Sequence, residues 1–179
     1  MDILKKGRSM FKKISLVTLL TVGIIASAQA NPATNPWEVG ISAVGIAEGR
    51  SGDGLDNYFP GIGARVGYHF TQNWSLVGEV LYTIPDYGSK SVDVVDYIGS
   101  LGYDFSPIKS VTPFAAAGLG YRTISDVNGR DDWNLVVGAG VKVPMYDSFQ
   151  FMMEGKGRWN LENRGEQGML GTLGVNYTF

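Results

Sequence analysis

Apolar and polar residues alternate along the chain in stretches of about ten residues, the length of a bilayer-spanning strand. The clearest stretch runs from Trp133 to Val143, where apolar side chains at odd positions alternate with Asn134, Gly138, Gly140 and Lys142 at even positions. A period of two predicts β-strands that bury one face. The strands predicted in this way are eight, at 37–47, 60–70, 74–84, 94–105, 111–123, 133–143, 149–161 and 169–179.

The connections between these predicted strands alternate in length. The short ones are 71–73, 106–110 and 144–148. The longer ones are rich in Gly, Asp, Asn and Ser, and they are 48–59, 85–93, 124–132 and 162–168. Such alternation is typical of a barrel whose short turns face the periplasm and whose longer loops face outward. We therefore predict an all-β fold, a closed antiparallel up-and-down transmembrane β-barrel of about eight strands.

The two faces of the strands differ in polarity. One face carries apolar residues such as Val39, Ile41, Ile62 and Val66 and has no charge. The other carries Glu38, Arg65, His69, Glu79, Asp96, Asp104, Arg122, Lys142, Glu154, Lys156 and Arg158. An Arg or Lys on the lipid face costs about 2–4 kcal/mol at mid-bilayer. The charge-free face therefore predicts contact with lipid, and the charged face predicts the lumen.

Inward-facing charges at the same height along the barrel axis cancel one another. The middle layer holds Arg65, Glu79, Glu154 and Lys156, and the upper layer holds Glu48, Asp96, Arg122 and Arg158. Each layer sums to zero, and buried charges are tolerated when they are paired. The interior of such a barrel is just wide enough for side chains to fill it. The pattern favours a closed network of Arg65, Glu79, Asp96, Arg122, Glu154, Lys156 and Arg158 over an open pore, with Gly138, Gly140 and Gly174 leaving room for long side chains opposite.

The hairpin around the turn 71–73 gives the sharpest expectation. If Phe70 lies opposite Trp74, Arg65 lies directly opposite Glu79 on the inward face. Opposed residues are close enough for a charge-assisted hydrogen bond. We predict that bond, and a loss on the order of 3–5 kcal/mol when one partner alone is removed.

Aromatic residues collect at the predicted strand ends. Trp37 and Trp74 fall toward the short turns, whereas Trp133 and Trp159 fall toward the longer loops. Two such belts are typical of the membrane interfaces of an outer-membrane barrel.

The first 30 residues differ from the rest. Lys5 to Lys13 is basic, Ile14 to Ala26 is apolar, and Ala28-Gln29-Ala30 resembles a cleavage site. We predict a cleavable signal peptide at 1–30, with Met10 as an alternative start, and a barrel domain at 31–179. The barrel segment keeps ten of the 15 Lys+Arg and sixteen of the 17 Asp+Glu, a net charge of −6. That charge argues against nucleic acid as a partner, and the lack of cysteine excludes disulfides and thiolate metal sites.

Catalytic chemistry finds little support. His69 is the single histidine and is predicted to point inward near the periplasmic end. A hydrolase or acyltransferase acting on lipid A would need its histidine near the outer leaflet. His69 is therefore interpreted as an interior hydrogen-bonded residue, and no enzyme, cofactor or metal site is predicted. The acidic outer loops, which include Asp53, Asp56, Asp126, Asp131 and Asp132, are interpreted as solvated, with binding of divalent cations or a host surface as the alternative.

Two stretches resemble a known family. Val111 to Tyr121, with the sequence VTPFAAAGLGY, resembles the fifth strand of the OmpA/OmpX-like eight-stranded outer-membrane barrels. The ending Gly174 to Phe179 resembles the C-terminal insertion signal of such barrels, carried by Val175, Tyr177 and Phe179. The resemblance implies that the protein lies in the cell outer membrane, is surrounded by lipopolysaccharide and is a monomer. It also implies contact with the barrel-assembly machinery during biogenesis. Because the chain ends at Phe179, the peptidoglycan-binding domain of OmpA is expected to be absent.

Three functions remain open at this point. The first is a structural protein of the envelope with no chemistry of its own. The second is a surface-binding, adhesin-like module acting through the loops 48–59 and 124–132. The third is a narrow ion-conducting pore.

Overall fold

The computed structural model describes residues 36–50, 57–83, 86–87, 90–91, 93–125, 131–162 and 166–179. The predicted signal peptide at 1–30 lies outside these residues. So do the loop aspartates Asp53, Asp56 and Asp126.

The chain forms a closed antiparallel barrel of eight long strands, in the order β1-β10-β9-β8-β7-β6-β3-β2. A separate two-stranded hairpin, β4-β5, lies within the connection predicted as loop 85–93. The strands are β1 Trp37–Arg50, β2 Asn57–His69, β3 Trp74–Thr83, β4 Asp86–Tyr87, β5 Lys90–Ser91, β6 Asp93–Asp104, β7 Thr112–Ser125, β8 Asp131–Tyr146, β9 Phe149–Asn160 and β10 Glu166–Thr178. The predicted fold and number of barrel strands are confirmed.

Six of the eight barrel strands run further toward the long-loop end than predicted. β1 continues to Arg50, which pairs with Glu166 at the start of β10. In a closed barrel each strand has a hydrogen-bonding partner on both sides. Residues beyond the alternating apolar pattern, including polar residues and glycines, can therefore still pair with neighbouring strands. At the other end β8 continues to Tyr146 with a register shift between Pro144 and Tyr146. The predicted turn 144–148 is therefore shorter in the structure.

The seam of the barrel joins the two ends of the described chain. Trp37 donates its backbone N–H to the Phe179 carbonyl at 3.3 Å, and Phe179 donates to the Trp37 carbonyl at 3.0 Å. This exchange continues the β1–β10 ladder, so the sheet has no exposed edge there.

The lipid-facing and inward positions largely alternate as predicted, although Val39, predicted for the lipid face, is only 3% exposed. In β9, Phe151 and Met153 are exposed, whereas Met152, Glu154 and Lys156 between and beyond them are buried. The four tryptophans of the predicted belts, Trp37, Trp74, Trp133 and Trp159, are between 41% and 48% exposed. In the described part of the chain, no helix is long and apolar enough to cross a bilayer.

One inward glycine is required by a close approach between strands. A Cβ on Gly118 of β7 would lie 2.0 Å from the backbone oxygen of Gly99 in β6. No side chain fits at that distance, so β6 and β7 can keep this spacing with glycine alone at position 118.

Candidate functional site

Charged side chains in the lumen form two groups at different heights. The turn-side cluster comprises Glu38, Arg65, Glu79, Asp104, Lys142, Glu154 and Lys156. The loop-side cluster comprises Asp96, Arg122 and Arg158. Every residue of the predicted network belongs to one of the two clusters.

Arg65 lies at the centre of the turn-side cluster. Its guanidinium is 3.3 Å from Glu38, 3.7 Å from Glu79 and 3.6 Å from Glu154. Arg65 and Glu79 are direct cross-strand partners, as the hairpin register predicted. Arg65 also donates a hydrogen bond to the sulfur of Met152, which is fully buried.

The main partner of Glu79 is not Arg65. Lys156 Nζ donates a hydrogen bond to Glu79 Oε2, and it lies 3.2 Å from Glu154 Oε2. The predicted Arg65–Glu79 hydrogen bond is therefore an ion pair at longer range. Cross-strand register places the Cβ atoms side by side, but long side chains in a narrow lumen also reach across it.

Three members of the turn-side cluster lie outside the network predicted from the sequence. Glu38 is 2% exposed; Arg65 Nε lies 3.3 Å and Lys142 Nζ 3.4 Å from its carboxylate, and His69 Nε2 lies 3.5 Å from it. Lys142 also donates to Asp104 at 3.0 Å. The parity of their strands had already placed Glu38, Asp104 and Lys142 on the inward face. Grouping the charges by height missed them because they lie nearer the strand ends.

Asp96 organises the loop-side cluster. Arg122 donates to both of its carboxylate oxygens, each at 2.8 Å, in the bidentate geometry that arginine favours. Arg158 approaches the same carboxylate at 3.4 Å. Asp96 and Arg122 are cross-strand partners in β6 and β7. The side chain of Glu48, predicted for this layer, lies outside the described residues.

An apolar layer separates the two clusters. Its buried residues form one contact cluster of Val44, Ile46, Leu81, Ile98, Val136 and Leu170. Leu81 follows Glu79 by two positions on the inward face of β3, and Ile98 stands in the same relation to Asp96 in β6. The inward face was predicted to be polar, and the structure differs because a lumen filled by side chains accommodates apolar ones equally well.

Inward glycines make room for the long charged side chains, as the case of Gly138 shows. A Cβ there would lie 2.8 Å from Lys156 Cγ and 3.1 Å from Glu154 Oε1. The two other predicted positions face different neighbours. Gly140 lies against the Phe114 ring and the Met153 carbonyl, and Gly174 lies against Ile41 and Ser42.

Comparison with known proteins identifies the family. A family model described as "Outer membrane protein beta-barrel domain" matches residues 16–179. The chain belongs to this family. A comparison with curated proteins gives no significant match.

Solved structures of this type share the fold. Neisserial surface protein A is 16% identical with a TM-score of 0.68, covering 80% of this chain and 97% of that one. Ail, the attachment invasion locus protein of Yersinia pestis, is 19% identical with a TM-score of 0.60, covering 81% and 99%. The N-terminal barrel of Pseudomonas aeruginosa OprF is 22% identical with a TM-score of 0.57, covering 79% and 97%.

Family membership places the protein in the outer membrane and orients the two clusters. Short turns of such barrels face the periplasm, and longer loops face the cell surface. The turn-side cluster therefore lies in the periplasmic half of the lumen, and the loop-side cluster lies in the outer half.

The periplasmic end of this outer-membrane barrel contains a cavity of about 220 Å³. Its lining includes Glu38, His69, Asp104, Lys142, Gln150 and Thr178. His69 thus lies inward at the periplasmic end, as predicted. Within the described ranges, no group of three or more His, Asp and Glu residues is placed to hold a metal ion.

Proposed function

We propose that this protein is a non-enzymatic, structural component of the outer membrane, and that its barrel is sealed by its own side chains. The observation that carries the proposal is the contact between Lys156 and Glu79. Lys156 belongs to β9 and Glu79 to β3, and these strands lie four places apart in the eight-strand ring. The pair therefore spans the lumen from one wall to the opposite wall, and a continuous pore would have to pass through this contact.

The apolar layer strengthens this proposal. Leu81 is 1% exposed and Ile46 is fully buried, so apolar side chains fill the lumen above the Lys156–Glu79 contact. An ion moving through the barrel would have to cross both the ion pairs and a layer that offers it no polar ligand. A structural role in envelope integrity fits such an interior better than conduction does.

The surroundings of His69 also argue against catalysis. Ser75 is the cross-strand partner of His69, and His69 contacts the Glu38 carboxylate. This composition resembles a Ser–His–acid set. The structure shows no hydrogen bond between the Ser75 hydroxyl and the imidazole within the described residues, and Ser75 is 2% exposed. A nucleophile needs both a base within hydrogen-bond reach and access to substrate.

Conductance in planar bilayers tests the seal. We expect no steady channel current from the folded barrel, and the heat-dependent mobility shift of a closed barrel on gels serves as the control for folding. A reproducible open-channel current from protein that passes the control would overturn the proposal.

A surface-binding function is the second candidate, and a solved structure of the same fold favours it. Tyr121 donates its hydroxyl proton to Asp131 at 2.9 Å, and Tyr82 donates to Asp93 at the same distance. These bonds tie neighbouring strand ends together beneath the surface loops. A protein of the same fold, Ail, has been crystallised with the heparin analogue sucrose octasulfate.

Shortening a loop separates the two functions. Because β1 ends at Arg50 and β2 begins at Asn57, replacement of 51–56 by a short Gly-Ser linker removes the native residues of the first surface loop and keeps the full length of both strands. In cells lacking the gene, the shortened protein should restore resistance to detergent as well as the full-length protein does. Full resistance in cells that lack the gene altogether would contradict the structural role and favour the surface-binding function.

The proposal includes a partner set. We expect lipopolysaccharide around the barrel, a monomer, and the barrel-assembly machinery during insertion, contacted through Val175, Tyr177 and Phe179. The ring of Phe179 stacks on that of Tyr177 at 5.9 Å. Removal of Phe179 should reduce insertion in cells far more than refolding in micelles. Equal insertion of both forms would count against a role for this signal.

A further inference from the structure

The turn-side cluster contains one carboxylate more than it contains Lys and Arg side chains. Its acids are Glu38, Glu79, Asp104 and Glu154, and its bases are Arg65, Lys142 and Lys156. His69 also contacts Glu38, at 3.5 Å, and is counted as neutral in the formal net charge of the chain. Counted in that way, the cluster has an excess of one negative charge. An uncompensated charge is costly in a poorly solvated interior, so the cluster attracts a positive charge from outside it.

Deep in the lumen, acids and bases are matched in number. Arg65 and Lys156 each contact both Glu79 and Glu154. Two bases therefore face two acids at this height, and the excess negative charge is assigned to the periplasmic end of the cluster.

Glu38, Asp104 and Lys142 line the periplasmic cavity together. Lys142 is the ion-pair partner of both acids, at 3.4 Å from Glu38 and 3.0 Å from Asp104. The Asp104 side chain is 15% exposed, against 2% for that of Glu38, so a solute from the periplasm reaches Asp104 first. A recess with net negative charge and walls of low dielectric constant concentrates cations.

Two side chains of the cavity wall have an acceptor atom to which the protein brings no donor. Lys142 donates to Asp104 Oδ2, whereas Asp104 Oδ1 accepts no hydrogen bond from the described residues. Gln150 also lines the cavity, and its Oε1 is a buried acceptor without a hydrogen-bond partner in the described part of the chain. A ligand with several N–H donors would satisfy both acceptors.

The size of the cavity favours an organic ligand. Its volume is about 220 Å³, far above the ~10–15 Å³ that a single water needs, so it has room for a solute of several non-hydrogen atoms. A bare metal ion fits the lining less well, since the described ranges contain no group of three or more His, Asp and Glu residues placed to hold one. One positive charge on an organic group matches the single excess carboxylate.

We propose that the periplasmic cavity binds one small organic cation that carries a primary ammonium group. The ammonium donates hydrogen bonds to Asp104 and Gln150 and neutralises the excess charge of the turn-side cluster. The ion pairs of Arg65 and Lys156 close the lumen beyond the ligand, so the ligand enters from the periplasm and its binding requires no pore.

Ethanolammonium is a suitable probe, because it is small and carries one charge. The folded barrel in zwitterionic micelles is unfolded with urea at mildly alkaline pH, while ethanolammonium chloride replaces N-methylglucamine chloride, the salt of a bulkier cation, at constant ionic strength. Above the dissociation constant, each tenfold rise in ethanolammonium should lower the unfolding equilibrium constant about tenfold, as expected for one ligand that binds the folded state. No dependence on ethanolammonium would overturn the proposal and leave a proton as the source of the missing charge. An equal effect of Na⁺ would also overturn it, because the cavity would then attract any cation.

Three variants locate the site. Asp104→Asn gives the cluster equal numbers of acids and bases, so the dependence on ethanolammonium should disappear. Asp147→Asn is the matched control, because it removes one carboxylate from an exposed turn at the same end of the barrel and should keep the dependence. Gln150→Leu leaves the charge unchanged and removes one acceptor, so ethanolammonium should bind roughly tenfold more weakly. The heat-dependent mobility shift confirms that each variant is folded. Full dependence in Asp104→Asn, or its loss in Asp147→Asn, would contradict a site in this cavity.

Discussion

The turn-side and loop-side clusters neutralise charge in different ways. In the turn-side cluster charges are shared: Arg65 contacts several carboxylates, and Glu154 lies near both Arg65 and Lys156. In the loop-side cluster one carboxylate, Asp96, receives two hydrogen bonds from Arg122 and a third contact from Arg158. In the turn-side cluster most charges contact more than one opposite charge, whereas in the loop-side cluster Arg122 and Arg158 both contact the same acid, Asp96.

The difference follows from where the partners come from. Asp96 and Arg122 are direct neighbours on adjacent strands, so their geometry is fixed by the β6–β7 register. Lys156 and Glu79 meet from opposite walls, so several acids and bases converge on the middle of the lumen. Local register favours one well-formed pair, and convergence favours a network.

The largest expected effect is at Asp96. Asp96→Asn breaks the buried bidentate pair with Arg122 and weakens the contact with Arg158, and it should lower the free energy of unfolding by about 3–5 kcal/mol. Glu79→Gln should cost clearly less, because Lys156 keeps Glu154 as a partner. Urea titration in micelles, followed by tryptophan fluorescence, measures both. Asp147→Asn, on an exposed turn, is the control and should change little. An equal or larger loss for Glu79→Gln would refute the contrast between the clusters.

The next effect concerns space beside the clusters. Gly138→Ala places a Cβ 2.8 Å from Lys156 Cγ. The turn-side cluster must then shift, which should lower the free energy of unfolding by about 1–3 kcal/mol. On the loop side, a Cβ on Gly168 would meet the end of the Arg158 side chain at 3.1 Å, which can move more easily. Gly155→Ala, which faces open space, serves as the control in the same unfolding experiment. A smaller loss at 138 than at 168 would show that the turn-side cluster is the more adaptable of the two.

Double-mutant cycles measure how strongly individual pairs within the turn-side cluster are coupled. The coupling between Glu79→Gln and Lys156→Met should exceed that between Glu79→Gln and Arg65→Met by about 1 kcal/mol, because the first pair is hydrogen-bonded and the second is 3.7 Å apart. The reverse order would mean that the cross-strand pair predicted from the hairpin dominates after all.

The smallest effect is expected at the edge of the turn-side cluster. His69→Gln removes one of the contacts to Glu38 but leaves Arg65 and Lys142 in place. Because the His69 side chain is 20% exposed, the loss should stay below about 1 kcal/mol. A loss as large as that for Asp96→Asn would show that the cluster has no redundancy at Glu38.

The alternation of residues along the strands predicted the fold and which side chains face the lumen, but not the contacts that these side chains make there. The alternation around Trp133 to Val143 was sufficient to place Lys142 inward, and the turn 71–73 was sufficient to align Arg65 with Glu79. The meeting of Lys156 with Glu79 depends on the curvature of the closed sheet and on rotamers. The pattern of apolar and polar residues along the sequence specifies neither the curvature nor the rotamers. The apolar layer was missed for a similar reason, since Leu81 on an inward face carries no sign of what lies opposite.

The Lys156–Glu79 contact also bears on how the barrel forms. Its partners are 77 residues apart in the chain and on opposite walls. A half-closed sheet would therefore hold one charge without the other in a lumen that is already losing water. Such an intermediate is costly, so desolvation and ring closure should occur together in one cooperative transition. Variants of this pair should then change the rate of folding as well as the equilibrium.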